Sequence, residues 1–175
     1  PDAGLRAAAL DALGSLGAAE AVRDIVPMLR DAAPGIREAA VRALRRLKAV
    51  DAVMDVCALL KDPERQVRMQ AAGALREMGS RTRAADVAAF LKREAGVDRA
   101  IALHVLADLE SKEAAPLLIE LIENDSASIR RGAIEALVAV RSGGGDAIAK
   151  RLKDSDAAVR EAAARALVAM DAREQ

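Results

Sequence analysis

An aliphatic residue followed by arginine recurs along the chain at a fixed interval. This feature constrains the fold more than any other. Leu5-Arg6, Ile36-Arg37, Val67-Arg68, Ile129-Arg130 and Val159-Arg160 share the pattern, and Arg99 keeps the register behind Asp98. Successive arginines lie 31, 31, 31, 31 and 30 residues apart. A second column, Leu13, Leu44, Leu75, Leu106, Leu137 and Leu167, keeps the same spacing. A period of this length marks a repeat array. A unit of 31 residues cannot bury its own apolar face, so each must stack on its neighbours.

Each period holds two helical patterns. Ile36, Ala39, Ala40, Ala43, Leu44 and Leu47 fall on one face of a helix, and Val53, Val56, Cys57 and Leu60 on one face of the next. Short turns divide the halves, as at 14–17 and 141–145. Asp62-Pro63 reads as an N-cap followed by the residue best suited to the first helical position, and Ser111 and Asp154 or Ser155 as further caps. Alanine makes up 43 of the 175 residues, which lets facing helices approach closely. The expectation is an all-α solenoid of about five and a half two-helix repeats, eleven helices in one domain over 1–175. The repeats run over about 1–31, 32–62, 63–94, 95–125 and 126–154, with a half-repeat at 155–175.

The motif Asp-x-x-x-x-Val-Arg-x-x-Ala-x-x-Ala-Leu stands at Asp31 to Leu44, Asp62 to Leu75 and Asp154 to Leu167. It resembles the short bacterial HEAT-like repeat, the type named after phycobilisome lyases. The resemblance covers essentially the whole chain and implies a right-handed superhelix. First helices would then lie on the convex side and second helices on the concave side. The family includes scaffolds, adaptors and a few enzymes, so fold alone does not set function.

Repeat four departs from the motif. Arg93 stands where the Asp is expected, and Asp98 takes the aliphatic column. Asp98 is expected to cap a helix that starts late, after a loop through Glu94, Ala95 and Gly96. The chain opens on an apolar helix at Pro1 and closes on a first-type helix. Solenoids normally carry polar capping elements. The expectation is a segment of a longer protein, or else a dimer through a terminal face.

Lys and Arg number 27 and Asp and Glu 27, which argues against a general nucleic-acid or membrane-surface binder. Neutrality hides a pattern: repeats two and three carry +2 and +3, and repeat four −5. If Val22, Ile25, Val26 and Leu29 face inward, Asp24 faces outward, with Asp55 and Asp86 one and two periods on. Glu20 and Asp51 share that face. These five carboxylates form a candidate docking groove for a basic segment, or a solvated face that keeps the array soluble. Arg42, Arg45, Arg46 and Lys48, with Arg76, Arg81 and Arg83, form an alternative basic patch for an anionic partner. Cations near helix C-termini also complement the helix dipole, which accounts for much of that patch. Some HEAT-like DNA glycosylases bind duplex through a basic concave face, but here that face is expected to be acidic. Met28, Leu59, Phe90 and Leu121 form an apolar column suited to packing between repeats.

Catalytic chemistry is poorly supplied. His104 is the single histidine, in a column with Asp11, Arg42, Gly73, Glu135 and Arg165, so it is expected on the surface. The HEAT-like metalloenzyme deoxyhypusine hydroxylase depends on several His-Glu pairs, which one histidine cannot supply. Cys57 shares a column with Val26 and Ile119 and is expected to be buried and inert. Gly143-Gly144-Gly145 lacks the Lys and Ser/Thr of a phosphate loop and is expected to be a turn. With one aromatic residue, Phe90, no residue set for a tetrapyrrole is evident. The reading is a non-catalytic adaptor or scaffold without cofactor or metal, cytoplasmic, binding a protein or peptide. The alternatives are a nucleic-acid module on the basic patch and a lyase-type or regulatory subunit.

Overall fold

The structure is a computed structural model that describes residues 2–78, 83–93, 97–109, 112–141 and 143–171. Among the described residues the regular elements are all helical. The first-type helices are α1 (Ala3–Leu16), α3 (Pro34–Arg46), α5 (Arg65–Glu77), α7 (Arg99–Leu109), α9 (Ala127–Val140) and α11 (Ala157–Asp171). The second-type helices are α2 (Val22–Ile25), α4 (Val53–Ala58), α6 (Ala84–Arg93), α8 (Ala115–Leu121) and α10 (Gly145–Lys150). Four of these five are extended by 3₁₀ turns, such as Ala19–Ala21 before α2 and Leu59–Lys61 after α4. The chain divides into two compact units, Pro1–Ile101 and Ala102–Gln175, and the division falls inside α7.

In the first unit α1 packs on α3 and α3 on α5. Their contact faces are rich in alanine: Ala39, Ala40, Ala43, Ala71, Ala72 and Ala74 are buried. Small side chains let the backbones approach, and Gly14 marks the tightest place. A Cβ built there would lie 2.9 Å from the Ala43 Cα, closer than carbon atoms pack. Behind the first helices lie Ile25, Leu29, Val53, Val56, Leu60, Val87 and Leu91 from the second helices, all buried. Stacking, not the single repeat, produces this burial. Ile36 and Val67 are 1% and 0% exposed, whereas Leu5, in the same column of α1, is 64% exposed. In the second unit α9 packs on α8 and α11, with α10 against α11, around Leu106, Leu118, Ile122, Ile134, Leu137, Ile148 and Val159.

Helix starts differ from expectation in a revealing way. Asp62 does not cap α5; Glu64 holds that place without a side-chain bond. The Asp62 carboxylate instead accepts the Glu64 amide two residues on. Asp31 and Asp154 accept the amides of Ala33 and Asp156 in the same manner. The cap of α11 is Asp156, which accepts the Ala158 and Val159 amides at 2.8 and 3.2 Å, not Asp154 or Ser155. Asp98 caps α7 as expected, accepting from Ala100 and Ile101. Ser111 and the 94–96 loop lie outside the described residues.

The turn after the first helix has its own column. Gly17 adopts φ 70° at the end of α1, and Lys48 (φ 49°) and Arg141 (φ 52°) take the same left-handed conformation one and four periods on. Glycine does this freely, while a side-chain-bearing residue pays a steric cost.

Candidate partner-binding surface

The aspartates freed from capping have another partner. Arg37 of α3 donates from Nε and Nη2 to both oxygens of Asp62, at 2.7 and 2.8 Å. Its Nη1 donates to the carbonyls of Asp31 and Ala32. Arg130 of α9 repeats the arrangement, with Asp154 at 2.9 and 2.7 Å and the carbonyls of Asn124 and Asp125. Arg6 reaches Asp31 at 3.2 Å in a looser version. Each arginine therefore clamps the loop leading into its own helix and the aspartate that precedes the next first-type helix. The side chains of Arg37 and Asp62 are 11% and 4% exposed. Burial pushes the Asp62 carboxyl up, but hydrogen bonds from Arg37 and the Glu64 amide outweigh it and hold the group below the usual range. Asp154 is also lowered, chiefly by its hydrogen bond from Arg130. These pairs are structural rungs along the array.

The third rung is different. Arg68 donates from Nη1 to the Asp62 and Pro63 carbonyls, at 2.6 and 2.9 Å, as Arg37 and Arg130 do to theirs. The residue 25 positions on, an aspartate for Arg6 and Arg37, is Arg93. The reading of the sequence saw the arginine and aspartate columns but not that they pair. The signal was present in their 25-, 25- and 24-residue offsets at Arg6/Asp31, Arg37/Asp62 and Arg130/Asp154.

The expected acidic residues lie along α2, α4 and α6 and their leading turns. Glu20, Asp24, Asp51 and Asp86 are exposed, and Asp55 is half-buried. Asp86 is paired with Arg83 at 2.8 Å, and Asp55 lies 4.0 Å from the exposed Arg30. Glu20, Asp24 and Asp51 meet no cation among the described residues. Glu20 and Asp51 flank a cleft of about 670 Å³ between the turns of repeats one and two. Val22, Leu47 and Val50 contribute apolar lining, and Arg23 and Lys48 line it as well. An aliphatic stem ending in a cation suits such a cleft, since the stem can lie on apolar surface while the head meets a carboxylate.

The alternative basic set is not gathered as an open patch. Arg42 and Arg46 both reach Asp11, at 3.1 and 3.4 Å, and Arg45 reaches Glu77 at 3.4 Å. The Asp11 carboxyl is lowered, first by its hydrogen bond from Arg42. Arg83 belongs to the Asp86 pair, so the acidic and basic sets meet there. Lys48 and Arg76 are exposed, and Arg81 lies outside the described residues. Arg42, Arg45 and Arg46 thus link successive repeats.

His104 is on the surface, 3.7 Å from Asp108. Cys57 is buried, and burial pushes its thiol up to about 12, so it is a poor nucleophile. Leu59 and Leu121 of the apolar column are buried and Met28 and Phe90 half-buried, as packing residues are. Gly143 and Gly144 form a left-handed turn into α10. Among the described residues no group of three or more His, Cys, Asp and Glu could hold a metal ion. No described helix is long and apolar enough to cross a membrane.

The sequence profile of HEAT repeats matches residues 1–76, 26–98 and 84–167. The chain belongs to the HEAT-repeat family. Among curated proteins, none matches it. Several solved structures share its fold. An engineered protein aligns over 98% of this chain and 92% of its own, at 20% identity and a TM-score of 0.59. The CpcE–CpcF phycocyanin lyase complex of Nostoc sp. PCC7120 aligns over 97% and 72%, at 22% identity and 0.58. A designed armadillo repeat protein in complex with the peptide (KR)4 aligns over 94% and 91%, at 18% identity and 0.55. These place the HEAT array among the α-solenoids.

Proposed function

We propose that this HEAT array is a non-catalytic scaffold whose second-helix face takes a basic segment of a protein partner. The observation that carries the reading is the set of exposed carboxylates that meet no cation among the described residues, Glu20, Asp24 and Asp51, beside a cleft partly lined by Val22, Leu47 and Val50. Lysine or arginine stems would lie on Val22, Leu47 and Val50, with their heads on Glu20 and Asp51. Asp24, Asp55 and Asp86 would extend the acidic track at one-repeat intervals. That a designed solenoid of similar fold holds a Lys-Arg peptide supports the chemistry.

The test is fluorescence anisotropy with a labelled eight-residue peptide of alternating Lys and Arg. Replacing Glu20, Asp24 and Asp51 with lysine should weaken binding roughly tenfold, the sum of three exposed charge contacts. It should also flatten the dependence of affinity on salt. Equal affinity for the wild type and the triple variant would refute the site. A duplex oligonucleotide serves as the contrasting ligand. Tighter binding of the duplex than of the peptide at low salt would favour an anionic partner instead.

A further inference from the structure

We infer that a second copy of this chain docks head to tail, laying the open face of its α11 on the open face of α1. Inside the stack, α3 is covered by α1 on one side and by α5 on the other. On α1, Leu5 and Leu16 are 64% and 81% exposed, and Ala8 and Ala12 beside them are exposed too. These four residues fall on one helix face. Ile36, Ala39 and Ala43, which hold the columns of Leu5, Ala8 and Ala12 in α3, are at most 1% exposed. On α11, Val168 is 70% exposed, Ala164 is exposed and Leu167 is half-buried. Ile134 and Leu137, which hold the columns of Ala164 and Leu167 in α9, are fully buried. Single exposed aliphatic residues are ordinary, but a continuous aliphatic helix face marks a docking surface.

The two faces are halves of a contact the molecule already makes. Where α1 packs on α3, the backbone of Gly14 approaches Ala43, and Arg42 of α3 donates to both oxygens of Asp11 of α1 at 3.2 and 3.1 Å. Where α9 packs on α11, Val138 and Ala166, of the Gly14 and Ala43 columns, line one groove. One further step in the same register sets Val168 of one copy over Ala12 of the next. Valine against alanine is the combination already present at Val138 and Ala166, so the sizes match. The flanking charge matches as well. The column that joins Asp11 to Arg42 sets Arg165 of one copy against Asp11 of the other, opposite charges with their places exchanged. Arg165 is otherwise held by an exposed pair with Glu161 at 3.3 Å, which is weak enough to yield. A pairing of two like faces has no such template inside the molecule. The contact is heterologous, so each copy keeps one face free for another. It uses first helices, and the inference stands apart from the proposed peptide site on the second-helix face.

The experiment is sedimentation equilibrium of the full chain from the micromolar range upward. The average mass should rise above the 18.3 kDa of one chain as concentration increases. Leu5→Asp and Val168→Asp change exposed positions, so both variants should keep the helical circular dichroism of the wild type. Each should weaken association by about tenfold or more, because a carboxylate would be buried against aliphatic surface. Mixed in equal amounts, the two variants should form a complex of two chains and no larger. The α11 face of the first and the α1 face of the second are intact, and the other two faces are blocked. Met69→Asp, at an exposed apolar position of α5, should associate as the wild type does. Arg165→Glu should weaken association roughly threefold by facing Asp11 with a like charge. A chain that stays at 18.3 kDa at every concentration would overturn the inference. So would a mixture of the two variants that stays monomeric. Loss in Leu5→Asp with full association in Val168→Asp would also overturn it, since two α1 faces would then be pairing.

Discussion

Arg37 and Arg68 are one repeat apart, on equivalent turns of α3 and α5, with the same two-carbonyl tether. One is closed by Asp62 into a buried bidentate pair; for the other, the residue 25 positions on is Arg93. The arginine tether repeats while the far end of the rung does not: Asp62 is extended after a 3₁₀ turn, whereas Arg93 is the last residue of α6. A repeat array is held by local packing columns that tolerate variation, so one rung can lose its aspartate while the arginine tether is kept. The same logic separates Asp62, which is consumed by the fold, from Asp24 and Asp51, which are left to solvent.

The largest effect should come from opening a closed rung. Asp62→Ala leaves the Arg37 guanidinium buried without its counter-charge, which costs about 3–5 kcal/mol. Asp154→Ala should cost a similar amount through Arg130. Arg68→Ala should cost about 1 kcal/mol, since it forfeits carbonyl bonds but strands no buried charge. Urea denaturation of the three variants measures this directly. An Arg68→Ala loss as large as that of Asp62→Ala would erase the distinction between the two rungs.

Closing the open rung should work in the other direction. Arg93→Asp should stabilise by about 1–2 kcal/mol, the net worth of a charge-assisted hydrogen-bonded pair less the cost of ordering it. A lower melting temperature in Arg93→Asp would show that the α5–α6 register does not match that of α3 and the Asp62 loop.

The pH dependence sharpens the same contrast. Asp62 and Asp154 have carboxyls lowered in the folded chain, so each favours folding above the unfolded value of about 3.9. That contribution is lost as pH falls through the lower folded value. Stability should hold near neutrality and drop below about pH 4, and Asp154→Asn should show a shallower drop. An identical acid profile in the variant would remove the rung as its source.

The smallest effect belongs to the turn column. Lys48→Gly should stabilise by about 1 kcal/mol, because it relieves the left-handed strain that Gly17 avoids. This change touches no rung, so it should add independently to Arg93→Asp. A thermal-melting double comparison checks both.

Much of the fold was legible because its determinants are periodic. The apolar and alanine columns mark which helix faces stack; Cys57 and His104 followed from column membership, and the Asp98 cap from its departure from the aliphatic column. The rungs were not legible in the same way. Asp62 sits before a proline and looks like a cap, a local role, while its partner lies 25 residues earlier on another helix. A pattern in one dimension shows the two columns but not the contact between them. The basic residues misled for a related reason. Arg42 and Arg45 look outward along their own helix, but across the stack they meet Asp11 and Glu77, one repeat away. The candidate acidic face was legible through helix periodicity. That Glu20 and Asp51 share a cleft between adjacent turns required the stacked geometry.

The proposed function turns on where a basic peptide sits, and amide chemical-shift mapping with the alternating Lys-Arg octapeptide tests that most directly. The largest shifts should fall in residues 19–25 and 48–55, with smaller ones near Asp86, and should shrink as salt is raised. Shifts concentrated on the first helices, or spread evenly over the chain with no salt dependence, would contradict it.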